Sequence, residues 1–230
     1  MTDHPFRAVL WDFGGVILSS PFEAFNRYEN DHDLPADFIR SVNTVDPDDN
    51  AWARLERNDI TPAEFDDAFA TESAALGHRV RGADVLDLLS GAIRPEMVTA
   101  LDRVIAAGFA TACLTNNVVS DPTATHGRAD VAEVMARFDE VIESSKVGVR
   151  KPEPRFYELA CSALDVEPNE CVFLDDLGVN LKPARAMGMT TIKVTGAAQA
   201  IAELESELGI TLRSPSTPDR ARHQSGSDPD

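Results

Sequence analysis

The chain has little positive charge. Its 21 lysine and arginine residues stand against 39 aspartate and glutamate residues, which gives a formal net charge of −18. A nucleic-acid-binding protein needs a basic stripe for the phosphate backbone, and none is visible in this sequence. The composition therefore disfavours a nucleic-acid role. An anionic substrate would need local positive charge or a metal ion.

Long apolar runs are also missing. No stretch approaches the ~20 apolar residues that a membrane-spanning helix needs. The N-terminus, Met-Thr-Asp-His-Pro, lacks the basic and then apolar order of a signal peptide. We therefore expect a cytoplasmic protein with no membrane partner.

Cysteine is rare as well. The three cysteines, Cys113, Cys161 and Cys171, stand in apolar contexts and lack the spacing of a metal site. They are predicted to be buried free thiols.

What the sequence does contain is a short apolar run that ends in a carboxylate. Residues 8–11 are typical of a strand buried on both faces. Asp12 ends the run, and Gly14 and Gly15 follow. The strand would fix the aspartate, and the glycines would let a substrate approach the backbone. The alternative is an aspartate that caps a turn, because Asp-X-Gly-Gly is also ordinary turn chemistry.

The rest of the chain divides by its periodicity. Residues 19–92 have apolar residues at helical spacing and are predicted to form a small helical subdomain without strands. Strands and helices alternate over 93–212, so that 1–18 and 93–212 together form a core into which 19–92 is inserted. The segment 213–230 has almost nothing apolar and is predicted to be a disordered tail.

The individual elements follow from the same patterns. Alternation of strands and helices predicts an α/β fold, with a parallel sheet covered by helices on both faces. The predicted strands are 8–11, 110–114, 140–142, 171–174 and 190–194. The predicted helices are 22–30, 36–42, 50–58, 62–76, 83–89, 95–107, 131–138, 154–164, 181–187 and 197–208, with a polar loop over 118–129.

Three predicted strands end in polar residues. Asp12 follows the first, Thr115-Asn116 the second, and Asp175-Asp176 the fourth. Sites in parallel sheets form at the carboxyl ends of the strands, so these side chains are expected to converge. Carboxylates from two strand ends make an oxygen-only site that suits Mg²⁺. Lys151, in the loop after the third strand, would balance their charge and hold an anion. Such a set suits phosphoryl transfer.

Taken together, these motifs resemble those of the haloacid dehalogenase-like hydrolases over about residues 6–210. The matching residues, in the order of the family's four motifs, are Asp12, then Thr115 in Leu-Thr-Asn-Asn, then Lys151 in Arg-Lys-Pro-Glu-Pro, then Asp175-Asp176 followed by Asn180 and Gly188-Met189. The resemblance implies a Rossmann-like core with an inserted all-helical cap at 19–92. The Gly-Gly form and Arg-Pro-Glu-Met before the second motif resemble the branch near the phosphatase domains of soluble epoxide hydrolases and small bacterial sugar phosphatases.

The resemblance also implies a mechanism and its residues. Asp12 would attack phosphorus and form an aspartyl-phosphate, which water then hydrolyses. Thr115 and Lys151 would bind the phosphoryl oxygens. The implied magnesium ligands are Asp12, the Gly14 carbonyl, Asp175 and Asp176, and the implied substrate-binding residues are Gly15, Asn116 and Arg57. The substrate would be a small phosphorylated metabolite, and the chain a monomer or a homodimer.

One position departs from the family pattern. Most phosphatases of the family carry a second aspartate two residues after the nucleophile, which protonates the leaving group, and here that residue is Gly14. Three interpretations stay open. The protein is a phosphatase that manages without this aspartate, with a cap carboxylate such as Glu56 as a possible substitute. It is a dehalogenase-type hydrolase, although dehalogenases lack the metal pair that Asp175-Asp176 resembles. Or it is a non-catalytic module that binds a phosphorylated ligand or a protein.

A charged face of the predicted cap bears on Arg57 and Glu56. Arg54, Glu56 and Arg57 lie opposite the apolar residues of their predicted helix. These side chains could face the substrate, but a solvated charged face is the default expectation. Lys146 is a rival for the third-motif lysine, and we expect it to be a loop charge.

Overall fold

A five-stranded parallel sheet forms the centre of the molecule. The structure is a computed structural model that describes residues 5–117 and 129–213. The strands are β1 (Ala8–Trp11), β2 (Ala110–Thr115), β3 (Glu140–Glu143), β4 (Cys171–Asp175) and β5 (Thr190–Lys193), in the order β3-β2-β1-β4-β5. The predicted α/β class is therefore confirmed. The predicted loop at 118–129 and the predicted tail at 213–230 fall almost entirely outside the described residues.

Helices cover the sheet and fill the insert. They are α1 (Phe22–Asp31), α2 (Phe38–Thr44), α3 (Ala51–Glu56), α4 (Pro62–Ala75), α5 (Gly82–Asp87), α6 (Pro95–Ala106), α7 (Ala129–Met135), α8 (Ser144–Val147), α9 (Pro154–Leu164), α10 (Gly178–Ala186) and α11 (Ala197–Leu208). The short α8 and a single 3₁₀ turn at Pro168–Glu170 were not predicted, because four or fewer residues show no periodicity.

Local chemistry sets several helix ends. The Thr61 hydroxyl accepts the backbone N–H of Glu64, and the Glu64 carboxylate accepts the N–H of Thr61, which makes a capping box at the start of α4. By contrast, α10 begins three residues earlier than predicted. The Asp175 carboxylate accepts the N–H of Leu177, two residues further along the chain, and this local side-chain turn sets the start of the helix.

The two faces of the sheet bury separate apolar layers. Along β1, Val9 and Trp11 point to the layer that α6 and α11 cover, while Ala8 and Leu10 point to the layer that α9 and α10 cover. Burial on both faces explains why β1 is apolar throughout. The three cysteines are buried and free, as predicted.

The helical insert has an apolar core of its own. It is built from α1 to α5, and its buried residues include Phe25, Ile39, Leu55, Phe65 and Phe69. Two backbone segments join it to the sheet. Leu18 and Ile93 form an antiparallel bridge there, and the N–H of Ser19 donates to the carbonyl of Ala92 at 2.8 Å. The exact boundaries at 18/19 and 92/93 stay a prediction.

No helix in the described part of the chain combines the length and the apolar character that crossing a membrane requires.

Candidate active site

The polar residues that end three strands meet at one edge of the sheet, the edge formed by the carboxyl ends of the strands. Because β1 pairs with both β2 and β4, residues that follow these strands are neighbours in space. The N–H of Asp12 continues the ladder to the carbonyl of Leu174 at 2.8 Å, which seats Asp12 beside Asp175. This edge is also where the chain order reverses, since β2 and β3 lie on one side of β1 and β4 and β5 on the other.

Lys151 lies between two carboxylates. Its Nζ is 2.7 Å from Asp12 Oδ1 and 2.9 Å from Asp175 Oδ2, and the residue is only 1% exposed. Burial alone lowers the pKa of Lys151, but the two carboxylates outweigh burial and raise that pKa above its ordinary value. The lysine is therefore a fixed positive charge at the strand ends. Lys146, its rival in the sequence, is exposed and pairs with Glu143.

Asp175 is held rigidly. The residue is fully buried, and its two oxygens accept hydrogen bonds from the Asn180 amide at 3.1 and 3.0 Å. Its Oδ1 also accepts the N–H of Leu177 at 2.7 Å. The Tyr157 hydroxyl in turn donates to the carbonyl of Asn180 at 2.7 Å, so the support reaches into α9. A buried carboxylate with this many donors has one orientation.

Negative charge is concentrated at this edge. Carboxylate oxygens of Asp12, Asp175 and Asp176 lie within 4.8 Å of one another. Burial raises the pKa of Asp12 well above its usual range; Lys151 opposes this effect, and the Asp175 and Asp176 carboxylates add to it. Burial, followed by the charge of Asp175, raises the pKa of Asp176 to about 6. Like charges that crowd together in this way are stable as anions only beside a cation.

This donor set fits a magnesium ion. Three carboxylates offer only oxygen ligands, the type that Mg²⁺ prefers, and one buried lysine leaves the cluster with surplus negative charge. Gly14, the fourth implied ligand through its carbonyl, lies in the loop directly after Asp12.

The adjacent glycines differ in what they allow. Gly15 has a φ of +77°, and a Cβ there would lie 2.2 Å from Oδ2 of Asp176. Only glycine fits at this position, because the backbone conformation and the carboxylate both exclude a side chain. Gly14 has a φ of −71° and no atom within 4 Å of the place where a Cβ would stand. The loop therefore requires glycine at position 15, whereas position 14 has open space for a side chain.

A family model identifies this arrangement. The model for haloacid dehalogenase-like hydrolases matches residues 6–188. The chain belongs to this family.

Relatives within the family differ in chemistry. Bifunctional epoxide hydrolase 2 of Mus musculus is 35% identical over 88% of this chain and 39% of its own length. (S)-2-haloacid dehalogenase 1 of Pseudomonas sp. (strain CBS-3) is 31% identical over 83% of this chain and 85% of its own length. The chain spans 20% to 39% of the length of the first mammalian relatives it matches. Membership thus establishes a hydrolase family and leaves the bond that is cleaved open.

A solved structure shares the fold. A HAD family enzyme from Bacteroides thetaiotaomicron, in complex with magnesium and inorganic phosphate, superposes with a TM-score of 0.58 at 21% identity, over 86% of this chain and 98% of that one. The likeness confirms the Rossmann-like core of the family.

The remaining predicted site residues are Thr115, Asn116 and Arg57. Thr115 is the last residue of β2 and is buried, and Asn116 follows it against the backbone of Lys151. Arg57 lies at the end of α3, where its guanidinium is 2.9 Å from Asp59 Oδ2. It lines a cavity of about 260 Å³ together with Asp48, Arg150, Pro152 and Glu153. Its assignment as a substrate-binding residue stays a prediction.

Sequence reasoning assigned no role to two supporting residues and expected the wrong surroundings for a third. Asn180, which holds Asp175, stands five residues after it in the fourth motif, and that spacing was the available signal. Arg94 donates from Nη1 to the carbonyl of Gly15 at 2.9 Å, a contact that only the chain's return to the sheet creates. The expectation of a solvated face was wrong for Glu56, which is 6% exposed because it lies against the core.

Proposed function

We propose that the chain is a Mg²⁺-dependent phosphatase that hydrolyses a small phosphorylated metabolite through an aspartyl-phosphate on Asp12. One observation carries the proposal: a buried lysine lies between Asp12 and Asp175, inside a cluster of three carboxylates. This set offers a nucleophile, a cation for phosphoryl oxygens and ligands for a metal ion. The magnesium and phosphate in the solved relative support the same chemistry.

The chemistry follows from the positions of the groups. A carboxylate oxygen of Asp12 attacks phosphorus, a new O–P bond forms, and the P–O bond to the leaving alcohol breaks. The alkoxide takes a proton from water, because the residue at position 14 carries no acid. Water then attacks phosphorus and gives up a proton to solvent, the O–P bond to Asp12 breaks, and inorganic phosphate leaves with the Asp12 carboxylate restored. Lys151 and the Thr115 hydroxyl would bind the phosphoryl oxygens throughout.

Magnesium would be held by Asp12, Asp175, Asp176 and the Gly14 carbonyl, and when bound it would neutralise charge on the transferring phosphoryl group. The insert would close over the site, exclude water and select the substrate.

The proposal is tested by hydrolysis of p-nitrophenyl phosphate with and without Mg²⁺. This leaving group needs little acid help, so the missing aspartate should matter least here. We expect metal-dependent turnover in the native chain and loss of at least ~10⁴-fold in Asp12→Asn. Asp67→Asn, which removes the same charge from the exposed surface of α4, is the matched control and should retain activity. Near-native rates in Asp12→Asn would contradict the covalent mechanism.

A second candidate is supported by the 31% identical haloacid dehalogenase and by the glycine at position 14. A dehalogenase would release chloride from a 2-chloroacid without added metal. That result, with no phosphatase activity, would replace the phosphatase proposal. A chain that binds magnesium or phosphate but hydrolyses nothing in a broad metabolite panel would instead be a binding module.

A further inference from the structure

Glu56 is a residue of the insert that contacts the loops of the candidate active site. It is the last residue of α3, and its buried carboxylate accepts three hydrogen bonds from side chains. Oε1 accepts from Trp52 Nε1 at 2.9 Å. Oε2 accepts from Asn116 Nδ2 at 3.1 Å and from Arg150 Nε at 2.6 Å. Two of these donors belong to the core, so one side chain of the insert organises two loops of the sheet edge.

The Asn116 side chain is fully used by these contacts. Its Oδ1 accepts the N–H of Lys151 at 2.9 Å, and its Nδ2 donates both to the carbonyl of Lys151 at 3.0 Å and to Glu56. The backbone N–H needs an oxygen and the carboxylate needs an N–H, which fixes the orientation of the amide. Both N–H groups of the amide are therefore occupied. Its side chain has no donor left for a phosphoryl oxygen.

Arg150 makes a second link between the insert and the loop that carries Lys151. It precedes Lys151 directly, its Nε meets Glu56, and its Nη1 donates to the carbonyl of Pro47 in the insert at 3.0 Å. The Arg150 and Glu56 side chains are 14% and 8% exposed, so the pair is largely removed from water. Loss of either partner would leave a charge without its counterpart.

We propose that Glu56 is a positioning residue: through Asn116 it holds the backbone of Lys151, and thereby the lysine that faces Asp12, in place for the phosphoryl group. This inference rests on the proposed function. It makes Asn116 a positioning residue as well, rather than a direct ligand of the substrate. It also replaces the idea of Glu56 as a substitute acid, since its carboxylate serves three donors as an acceptor.

A double-mutant cycle tests the proposal. Glu56→Ala and Asn116→Ala should each lower kcat/KM for p-nitrophenyl phosphate by about tenfold or more, because each breaks the same buried connection. The double variant should lose clearly less than the product of the two single losses, because both single variants remove the same Glu56–Asn116 contact. Independent, multiplying losses would overturn the proposal.

The conservative variant separates positioning from proton donation. Glu56→Gln keeps an oxygen for Asn116 and Arg150 and should recover most of the activity that Glu56→Ala loses. A proton donor would lose as much in glutamine as in alanine, and that result would overturn the inference. Glu29→Gln is the matched control, because Glu29 is a buried carboxylate of the insert whose recorded partners are the N–H groups of Asp37 and Ile39. It should lower stability and leave kcat/KM unchanged.

Calorimetric binding of inorganic phosphate in the presence of Mg²⁺ provides a readout without turnover. Glu56→Ala should bind phosphate about tenfold more weakly than the native chain. If the native chain binds phosphate but hydrolyses nothing, the proposed function fails and the inference is judged on binding alone. Equal binding by Glu56→Ala would overturn the inference whatever the turnover. Absence of phosphate binding by the native chain would overturn both.

Discussion

The sheet edge and the helical insert use buried carboxylates in opposite ways. At the sheet edge, Asp12, Asp175 and Asp176 crowd together around Lys151. In the insert, Glu29 accepts two backbone N–H groups at 2.9 Å each and thereby caps the start of α2. Glu56 likewise has three donors. Glu29 and Glu56 thus have hydrogen-bond donors at both of their oxygens, for Glu56 partly from the core, whereas the sheet edge holds a surplus of negative charge.

The difference shows where the chemistry belongs. A buried carboxylate whose oxygens all accept hydrogen bonds stabilises the fold and needs no added cation. A cluster with more negative charge than its cation can offset is stabilised by an added cation, and it can bind a metal ion and an attached phosphoryl group. The insert then acts on the site through position rather than through charge.

The largest effect is expected from removal of the cation at the sheet edge. Lys151→Ala leaves the buried carboxylates of Asp12 and Asp175 unpaired. We expect at least ~10³-fold loss of kcat for p-nitrophenyl phosphate and a loss of about 3–5 kcal/mol in the free energy of unfolding. Urea titration measures the second quantity.

Lys146→Ala is the matched control for that experiment. This lysine is 71% exposed and pairs only at the surface with Glu143. The variant should change the free energy of unfolding by less than about 0.5 kcal/mol and leave turnover intact. Equal behaviour of the two lysine variants would remove the contrast between a charged centre and a solvated surface.

A smaller effect is expected at the two glycines, which lie beside the same carboxylates. Gly15→Ala forces a Cβ against Asp176 at a φ of +77°, and should lower kcat by about 10²-fold. Gly14→Asp enters open space at an ordinary φ. It should raise kcat for an alkyl phosphate about tenfold or more, because such a leaving group needs a proton. The gain for p-nitrophenyl phosphate should be smaller. A uniform gain would show that the new carboxylate does not act on the leaving group.

The smallest effect concerns stability without metal. The pKa of Asp176 is about 6 in the folded chain, against an ordinary value of 3.8 for an aspartate in an unfolded chain. Between these values the folded state holds a proton that the unfolded state has lost, so the contribution of Asp176 to stability falls as pH rises from about 4 to 6. Asp176→Asn should therefore match the native chain near pH 4 and exceed its unfolding free energy by about 2 kcal/mol at pH 7 in a chelator.

Added Mg²⁺ should reverse that order. At pH 7 it should stabilise the native chain more than Asp176→Asn, because the native site has one more carboxylate for the ion. Thermal unfolding with and without the ion measures the difference. A native chain that is already the more stable one at pH 7 in chelator would show that the edge carries no surplus charge.

Much of the fold was readable from local patterns. Short apolar runs without helical spacing predicted all five strands. The sequence Thr61-Pro62-Ala63-Glu64 predicted the start of α4. The four-residue α8 and the early start of α10 were missed. In the first case the segment is too short for periodicity. In the second, a hydrogen bond to Asp175, the last residue of the preceding strand, sets the helix start, and the spacing of apolar residues does not reveal such a bond.

The sequence by itself determined the elements and the types of group at the strand ends, because burial on both faces requires an apolar strand and the polar residue after it marks the strand's end. It could not determine which of those groups touch. The tertiary structure decided that Lys151 lies between Asp12 and Asp175, that Gly15 is closed by Asp176 while Gly14 is open, and that Glu56 is buried against Asn116 and Arg150. These contacts join residues far apart in the chain, and only the strand order and the return of the insert bring them together.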